Sequence, residues 1–176
     1  FLGNPPVFDD AFLFSGQKFL YYATHPFGFE ARVPPYFSFA VAQVLSGRME
    51  VHRILSLAFH LACSLALYKL LYDLLRVARP PERLGPPAGA LPSAATLAFI
   101  GAAVFALHPV AVYGAGYLVE RTVVLATLFS LLSVVLLVRG LERGSHADAI
   151  AAALMYSVAV LCKEHSVLLP AAAVLV

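Results

Sequence analysis

After residue 53 the chain is dominated by long apolar runs separated by short polar breaks. A helix that spans a bilayer takes about 20 mainly apolar residues. The first such run covers 54–77, where His60, Lys69 and Asp73 are the strongly polar interruptions. Lys69 and Asp73 sit near one end, where a lysine stem can carry its ammonium to the interface. The stretch from Arg79-Pro80-Pro81-Glu82-Arg83 to Pro92 cannot stay helical and predicts a loop. Further spans are expected over 93–109, over the uncharged 122–138, over 149–162 and over 166–176, the last cut off by the end of the sequence. Residues 139–148 form a polar loop, and Lys163-Glu164-His165 closes the fourth run.

Residues 1–53 follow another pattern. Asp9, Asp10, Lys18, His25, Glu30, Arg32, Arg48, Glu50 and Arg53 are mixed with many Phe and Tyr, without continuous apolar length enough to span. Aromatic rings favour the headgroup layer, where one end is dry and the other wet. Two amphipathic helices lying on the membrane surface are expected, at 10–23 and 35–45, separated by a His25-Pro26-Phe27-Gly28 turn. The organisation is thus an outer loop over 1–53 followed by a helical membrane region over 54–176.

Because consecutive spans alternate sides, their connecting loops do too. Asp9, Asp10, Arg32, His108, Glu120, Arg121, Lys163, Glu164 and His165 should then meet at one membrane face, whatever the absolute orientation. Arg76, Arg79, Arg83, Arg139 and Arg143 mark the opposite, short-loop side as cytoplasmic under the positive-inside rule. The polar face is expected to look outward.

Composition changes the picture in one respect: it excludes most soluble classes. Of 176 residues, 61% are hydrophobic and 12% charged, with mean hydropathy +0.83, against about 45–50% and about 25% in soluble domains. That leaves too little polar surface to coat a water-soluble core, and disorder is excluded. The net charge of +2 with no basic run gives no electrostatic footprint for nucleic acid. Cys63 and Cys162 lie far apart within apolar runs and form no disulfide framework or metal motif. The chain opens on Phe1 without a signal-peptide pattern and stops at Val176 inside an apolar run, so a fragment of a larger, polytopic all-α protein is expected.

Few polar groups are placed for chemistry. Asp9-Asp10 read either as a helix N-cap or as a general base at the membrane rim, taking a proton from an acceptor hydroxyl. Adjacent acids repel, which raises one pKa and suits the second role. A metal site at this pair needs more ligands than two carboxylates supply. His108-Pro109 ends the second run, and irregular backbone is expected from Val110 to Gly116, where Gly114 and Gly116 allow close approach. Glu120-Arg121 precede an uncharged span and need partners if buried; Arg121 is suited to hold a phosphate bidentately. Lys163-Glu164 read as a boundary pair or as a receiver of an anionic lipid headgroup. His60, in mid-span, reads as an interhelical hydrogen-bonding residue. Zinc-protease, P-loop and serine-hydrolase motifs are absent from the sequence.

The order of these motifs carries a resemblance. Asp9-Asp10 in an aromatic loop are followed by Arg32-Val33-Pro34-Pro35 and by the Gly47…His52…His60 stretch. Ala106-Leu107-His108-Pro109, Arg121-Thr122-x-x-Leu125 and Lys163-Glu164-His165-Ser166-Val167-x-x-Pro170 come next. The series resembles the N-terminal membrane half of the GT-C glycosyltransferases, most closely the tetratricopeptide-repeat transmembrane O-mannosyltransferases and their bacterial relatives. The resemblance implies an enzyme that passes a sugar from a polyprenyl-phosphate donor to a protein or glycan acceptor outside the cytoplasm. It implies an aspartate as catalytic base, or as a ligand of a divalent metal in some branches, with Asp9 and Asp10 as the candidates. Arg121, Lys163 and Arg32 would serve the donor phosphate, with His108 and Glu164 in support. Arg32 departs from the family's tight Arg-Pro pair because Val33 intervenes, and Glu120, a further supporting candidate, matches no family position. The Ala-, Arg- and Pro-rich composition points to a bacterial chain, for which the resemblance implies an inner-membrane location, undecaprenyl phosphate as carrier and a periplasmic active face.

Two other classes compete. A transporter or lipid flippase would use His108, Lys163 and Glu164 as a relay, but such a relay belongs near the bilayer centre, and these residues sit at span ends. A non-catalytic membrane scaffold would need none of the acids. Direct displacement by a hydroxyl would invert the anomeric carbon, and the isolated chain is expected to be inactive because further helices are missing.

Overall fold

The computed structural model describes residues 8–15, 21, 24, 32–78 and 92–173. All of its elements are helical, and no strand occurs among the described residues. In chain order they are α1 (Asp9–Ser15), α2 (Val33–Leu45), α3 (Met49–Ala78), α4 (Ala94–Leu107), α5 (Pro109–Gly116), a 3-10 turn (Leu118–Glu120), α6 (Arg121–Arg143), α7 (His146–Cys162), a second 3-10 turn (Glu164–Leu168) and α8 (Leu169–Ala173).

Two helical stretches are long and apolar enough to cross a membrane: α3, with 30 residues, and Leu118–Arg143, with 26. A third span arises if α4 and α5, which meet at a 54° bend, are counted as one. The expected fourth span is α7, a shorter apolar helix of 17 residues. The expected fifth does not begin as a regular helix at Ser166. Glu164–Leu168 is a 3-10 turn, and α-helical geometry starts only at Leu169. The expected loop over 79–91, the second half of the first amphipathic helix with its following turn, and 174–176 lie outside the described residues.

α3 starts five residues earlier than its apolar run. Gly47, with φ +64, turns the chain after α2, and Met49 to Arg53 then form the first turn of α3. His52 and Arg53 are both buried. Hydropathy excludes these residues from a lipid-facing span, whereas their burial is against protein.

The expected irregular segment 110–116 is instead the helix α5. Proline at a first helical position lacks only an N–H that would be unpaired anyway, so Pro109 starts a new helix after ending the old one. The break frees backbone groups, and two histidines take them. His108 Nδ1 accepts from the Val110 N–H at 3.3 Å. His60 Nε2 lies 3.0 Å from the Ala106 carbonyl and therefore carries the proton. His60 thus bridges α3 to α4, the interhelical role its position predicts. A cavity of about 540 Å³ lies beneath the bend, walled by His60, Phe105, His108, Val110, Gly114 and Val124.

The long helices pack side by side, α3 antiparallel to α4 and parallel to α6, and α6 antiparallel to α7. The α6–α7 turn needs a left-handed residue, which Gly144 supplies at φ +63, and Ser145 caps α7 by accepting from the Asp148 N–H at 3.2 Å. Gly140 lets the two backbones close, since a Cβ there would stand 3.3 Å from the Ala149 nitrogen. At the other end of the bundle Phe39, Ala40 and Leu118 form a core, onto which Leu13, Phe14, Tyr36 and Met49 pack.

α2 has two apolar faces. Val33, Pro35, Phe39, Ala40 and Ala42 are buried against the bundle, while Phe37, Val41, Val44 and Leu45 are exposed. Their i, i+4, i+7, i+8 spacing makes one stripe, of the kind that sits in an interface. A nitroxide at position 44 should be more accessible to oxygen than to a water-soluble nickel chelate; the reverse order would place the stripe in water.

Candidate functional site

The first turn of α1 is clamped by three consecutive residues at the α5–α6 junction. The Asp9 N–H donates to Tyr117 Oη at 3.2 Å. Asp10 is 1% exposed, and its two carboxylate oxygens accept from the Leu118 N–H at 3.2 Å and the Val119 N–H at 2.9 Å. These amides open the helical stretch that continues as α6, and at a helix start they have no partner of their own. The N-cap reading of Asp10 is therefore realised across elements rather than within α1. Asp10 faces inward, and Asp9 is left exposed.

Burial pushes the Asp10 carboxyl above its ordinary 3.8, outweighing the two amides and the nearby Arg53 guanidinium, which favour the ion. Asp10→Asn should keep one acceptor but turn an NH₂ toward the second amide. A loss of about 1–2 kcal/mol in unfolding free energy is expected, readable as a lower melting temperature in detergent.

Arg121 is fully buried at the start of α6. Its Nε donates to Ser56 Oγ at 3.0 Å, its Nη1 to Ser38 Oγ at 3.4 Å and its Nη2 to the His52 carbonyl at 2.6 Å. Its Cζ stands 3.9 Å from the centroid of the Phe39 ring, a cation–π contact. One guanidinium therefore ties α2, α3 and α6 together. Its fork is filled by protein oxygens, so the structure places Arg121 behind the rim rather than at an open phosphate subsite.

Arg32 adopts a left-handed backbone, φ 69, at the start of α2. Its N–H donates to the Leu161 carbonyl at 2.7 Å, one of the orphan acceptors at the end of α7. Its side chain bonds Glu164 Oε1 at 3.2 Å, with both partners open to solvent. Lys163 is half-buried beside them; its charge acts on the neighbouring Glu164 carboxylate, but its ammonium makes no hydrogen bond among the described residues.

Asp9, Asp10, Arg32, Glu120, Arg121, Lys163 and Glu164 thus gather around one end of the bundle through α1, α2 and the helix ends they touch. His108 does not join them: it is exposed at the bend, with eight-residue α5 between it and Tyr117. Both Asp10 oxygens accept from backbone amides, which leaves Asp9 as the open carboxylate of the pair. No group of three His, Cys, Asp or Glu suited to a metal occurs among the described residues. Tyr117, Ser38, Phe39 and Ser56 were not legible as site residues, since nothing in their spacing shows that a tyrosine faces an aspartate 108 positions away.

The two carboxylates titrate with opposite signs. Glu164 is held below its ordinary 4.5 by its own backbone N–H and by Arg32, so its contribution is present above that value and fades as acid protonates the folded form. Asp10, with a raised folded value, contributes in the reverse direction, losing stability as pH rises from 3.8. Glu164→Gln should remove the acid-side loss, and Asp10→Asn the opposing slope, in melting temperatures taken between about pH 3 and pH 6.

The chain matches no protein-family model, no curated protein and no solved structure.

Proposed function

We propose that this is an integral membrane glycosyltransferase that moves a sugar from a polyprenyl-phosphate donor to an acceptor hydroxyl on the non-cytoplasmic face, with inversion. One observation carries the reading: an exposed carboxylate, Asp9, stands on the same end of an apolar helix bundle as the half-buried cation Lys163, whose ammonium is not taken up by a hydrogen bond among the described residues. The resemblance to GT-C enzymes in the order of the motifs supports it.

A lipid-linked sugar forces this arrangement. The prenyl tail stays in hydrocarbon, its phosphate sits at the rim, and the acceptor arrives from water. Asp9 takes the acceptor's proton as the hydroxyl oxygen attacks the anomeric carbon. The bond from that carbon to the phosphate oxygen breaks, and the phosphate leaves with the electron pair. Lys163 and the exposed Arg32 stabilise the growing negative charge. Arg121 adds buried positive charge behind them, and Asp10 fastens the helix that carries Asp9. Losing the Lys163 ammonium should cost about a hundredfold in rate, or about 3 kcal/mol.

The test is transfer by the whole protein in native-like membranes, with undecaprenyl-phosphate-linked mannose and glucose as probe donors. Lys163→Met should lower transfer while leaving the melting temperature unchanged. Full activity in Lys163→Met and in both single Asp→Asn variants would refute the reading.

A further inference from the structure

The clamp on α1 contains a group for which sequence offers no role. Tyr117 ends α5, and its backbone is fixed on both sides: its N–H donates to the Tyr113 carbonyl at 2.9 Å, and its carbonyl accepts from the Glu120 N–H at 3.1 Å. Its ring leans on Tyr113, with centroids 5.5 Å apart. Neither the backbone nor the ring of Tyr117 is therefore free to wander. Its hydroxyl oxygen accepts the Asp9 amide proton at 3.2 Å, which leaves the phenolic proton to donate elsewhere.

The Asp9 side chain springs from the residue whose amide this hydroxyl already holds, and the phenol and the carboxylate interact electrostatically. Burial, with the charges of Asp9 and Asp10, holds the phenol above its ordinary 10.0, so it remains a donor at neutral pH. Asp10 meanwhile locks the next residue of α1 onto Leu118 and Val119. The acid pair is thus divided: one carboxylate is consumed in anchoring, and the other is presented to solvent against a fixed hydroxyl.

We propose that Tyr117 is the positioning residue for the Asp9 carboxylate: its hydroxyl oxygen holds the Asp9 amide, and its remaining phenolic proton turns to the carboxylate so that it faces the acceptor in a single orientation. The catalytic meaning rests on the glycosyltransferase reading above; the contact itself does not. A carboxylate released from this hydroxyl would sample several rotamers, and misplacement of a reacting group by about 1 Å can cost up to a hundredfold in rate.

Two measurements separate these levels. Carbodiimide labelling of the whole protein in nanodiscs, read by mass spectrometry at position 9, reports the contact without any substrate. Tyr117→Phe keeps the ring against Tyr113 and should speed Asp9 labelling roughly threefold or more, because the hydroxyl no longer shields the carboxylate. Tyr113→Phe should leave it unchanged. Equal labelling in wild type and Tyr117→Phe would overturn the proposal.

Transfer from undecaprenyl-phosphate-linked mannose then tests the consequence. Tyr117→Phe should lower kcat roughly tenfold with donor KM unchanged. In an Asp9→Asn background the same substitution should cost less than about twofold, since a residue acting through Asp9 has nothing left to position. An unchanged kcat, or a full tenfold loss in the Asp9→Asn background, would overturn the positioning role. If the wild type transfers no sugar while the labelling difference holds, the glycosyltransferase reading fails and the Tyr117–Asp9 contact stands.

Discussion

Asp9→Asn should cut sugar transfer by a hundredfold or more while the protein melts at its usual temperature. The magnitude follows from the role: a positioned general base contributes about 10²- to 10⁴-fold, and an amide cannot accept the proton. The unchanged stability follows from the geometry. Asp9 is exposed, and its bond to Tyr117 Oη is made by its backbone N–H, which asparagine retains. Asp10→Asn should show the opposite balance, with lowered stability and a smaller fall in rate, because its oxygens serve the Leu118 and Val119 amides. If Asp9→Asn transfers sugar at the wild-type rate and Asp10→Asn does not, the roles of the pair are exchanged, and an inward-facing carboxylate would have to reach the acceptor.

Arg121→Ala is expected to be the most destabilising single change at this end of the bundle, by about 3 kcal/mol. It removes a cation that is completely buried, three hydrogen bonds to Ser56, Ser38 and the His52 carbonyl, and the face-on contact with Phe39. The backbone carbonyl loses most, since the serine hydroxyls can rotate to other partners and the carbonyl cannot. Arg121→Lys reaches at most one of these acceptors at a time and should recover only part of the loss. Thermal unfolding in detergent separates this strut from a phosphate-binding arginine. A strut lowers the melting temperature with or without donor lipid, whereas a phosphate ligand leaves it unchanged and raises the donor KM.

Helices were legible here wherever lipid or protein asks for the same residue. The runs at 54–77, 93–109, 122–138 and 149–162 each correspond to a helix among α3, α4, α6 and α7. Their limits were misread where the two solvents part company. Hydropathy stops at Ile54 because His52 and Arg53 are poor in lipid, yet both are buried in protein. It also stops at Pro109, where the chain bends by 54° and continues as a helix. The proline signalled the break correctly but could not reveal that His60 and His108 would take up the polar groups it frees.

The acid pair and the cations could likewise be named from the sequence, while their division of labour could not. Asp9 and Asp10 are chemically identical neighbours, and only the approach of the α5–α6 junction makes one an anchor and leaves the other facing solvent. Arg121 and Lys163 look alike as cations at span ends, yet three oxygens and a ring surround the first. The sequence by itself determined a helical, strongly apolar chain and the alternation that gathers its polar ends, because hydropathy and helix period act over a few neighbouring residues. The tertiary structure alone decided which charge is spent inside and which faces outward. That choice depends on contacts between residues 65 to 109 positions apart, a distance over which local preference carries no information.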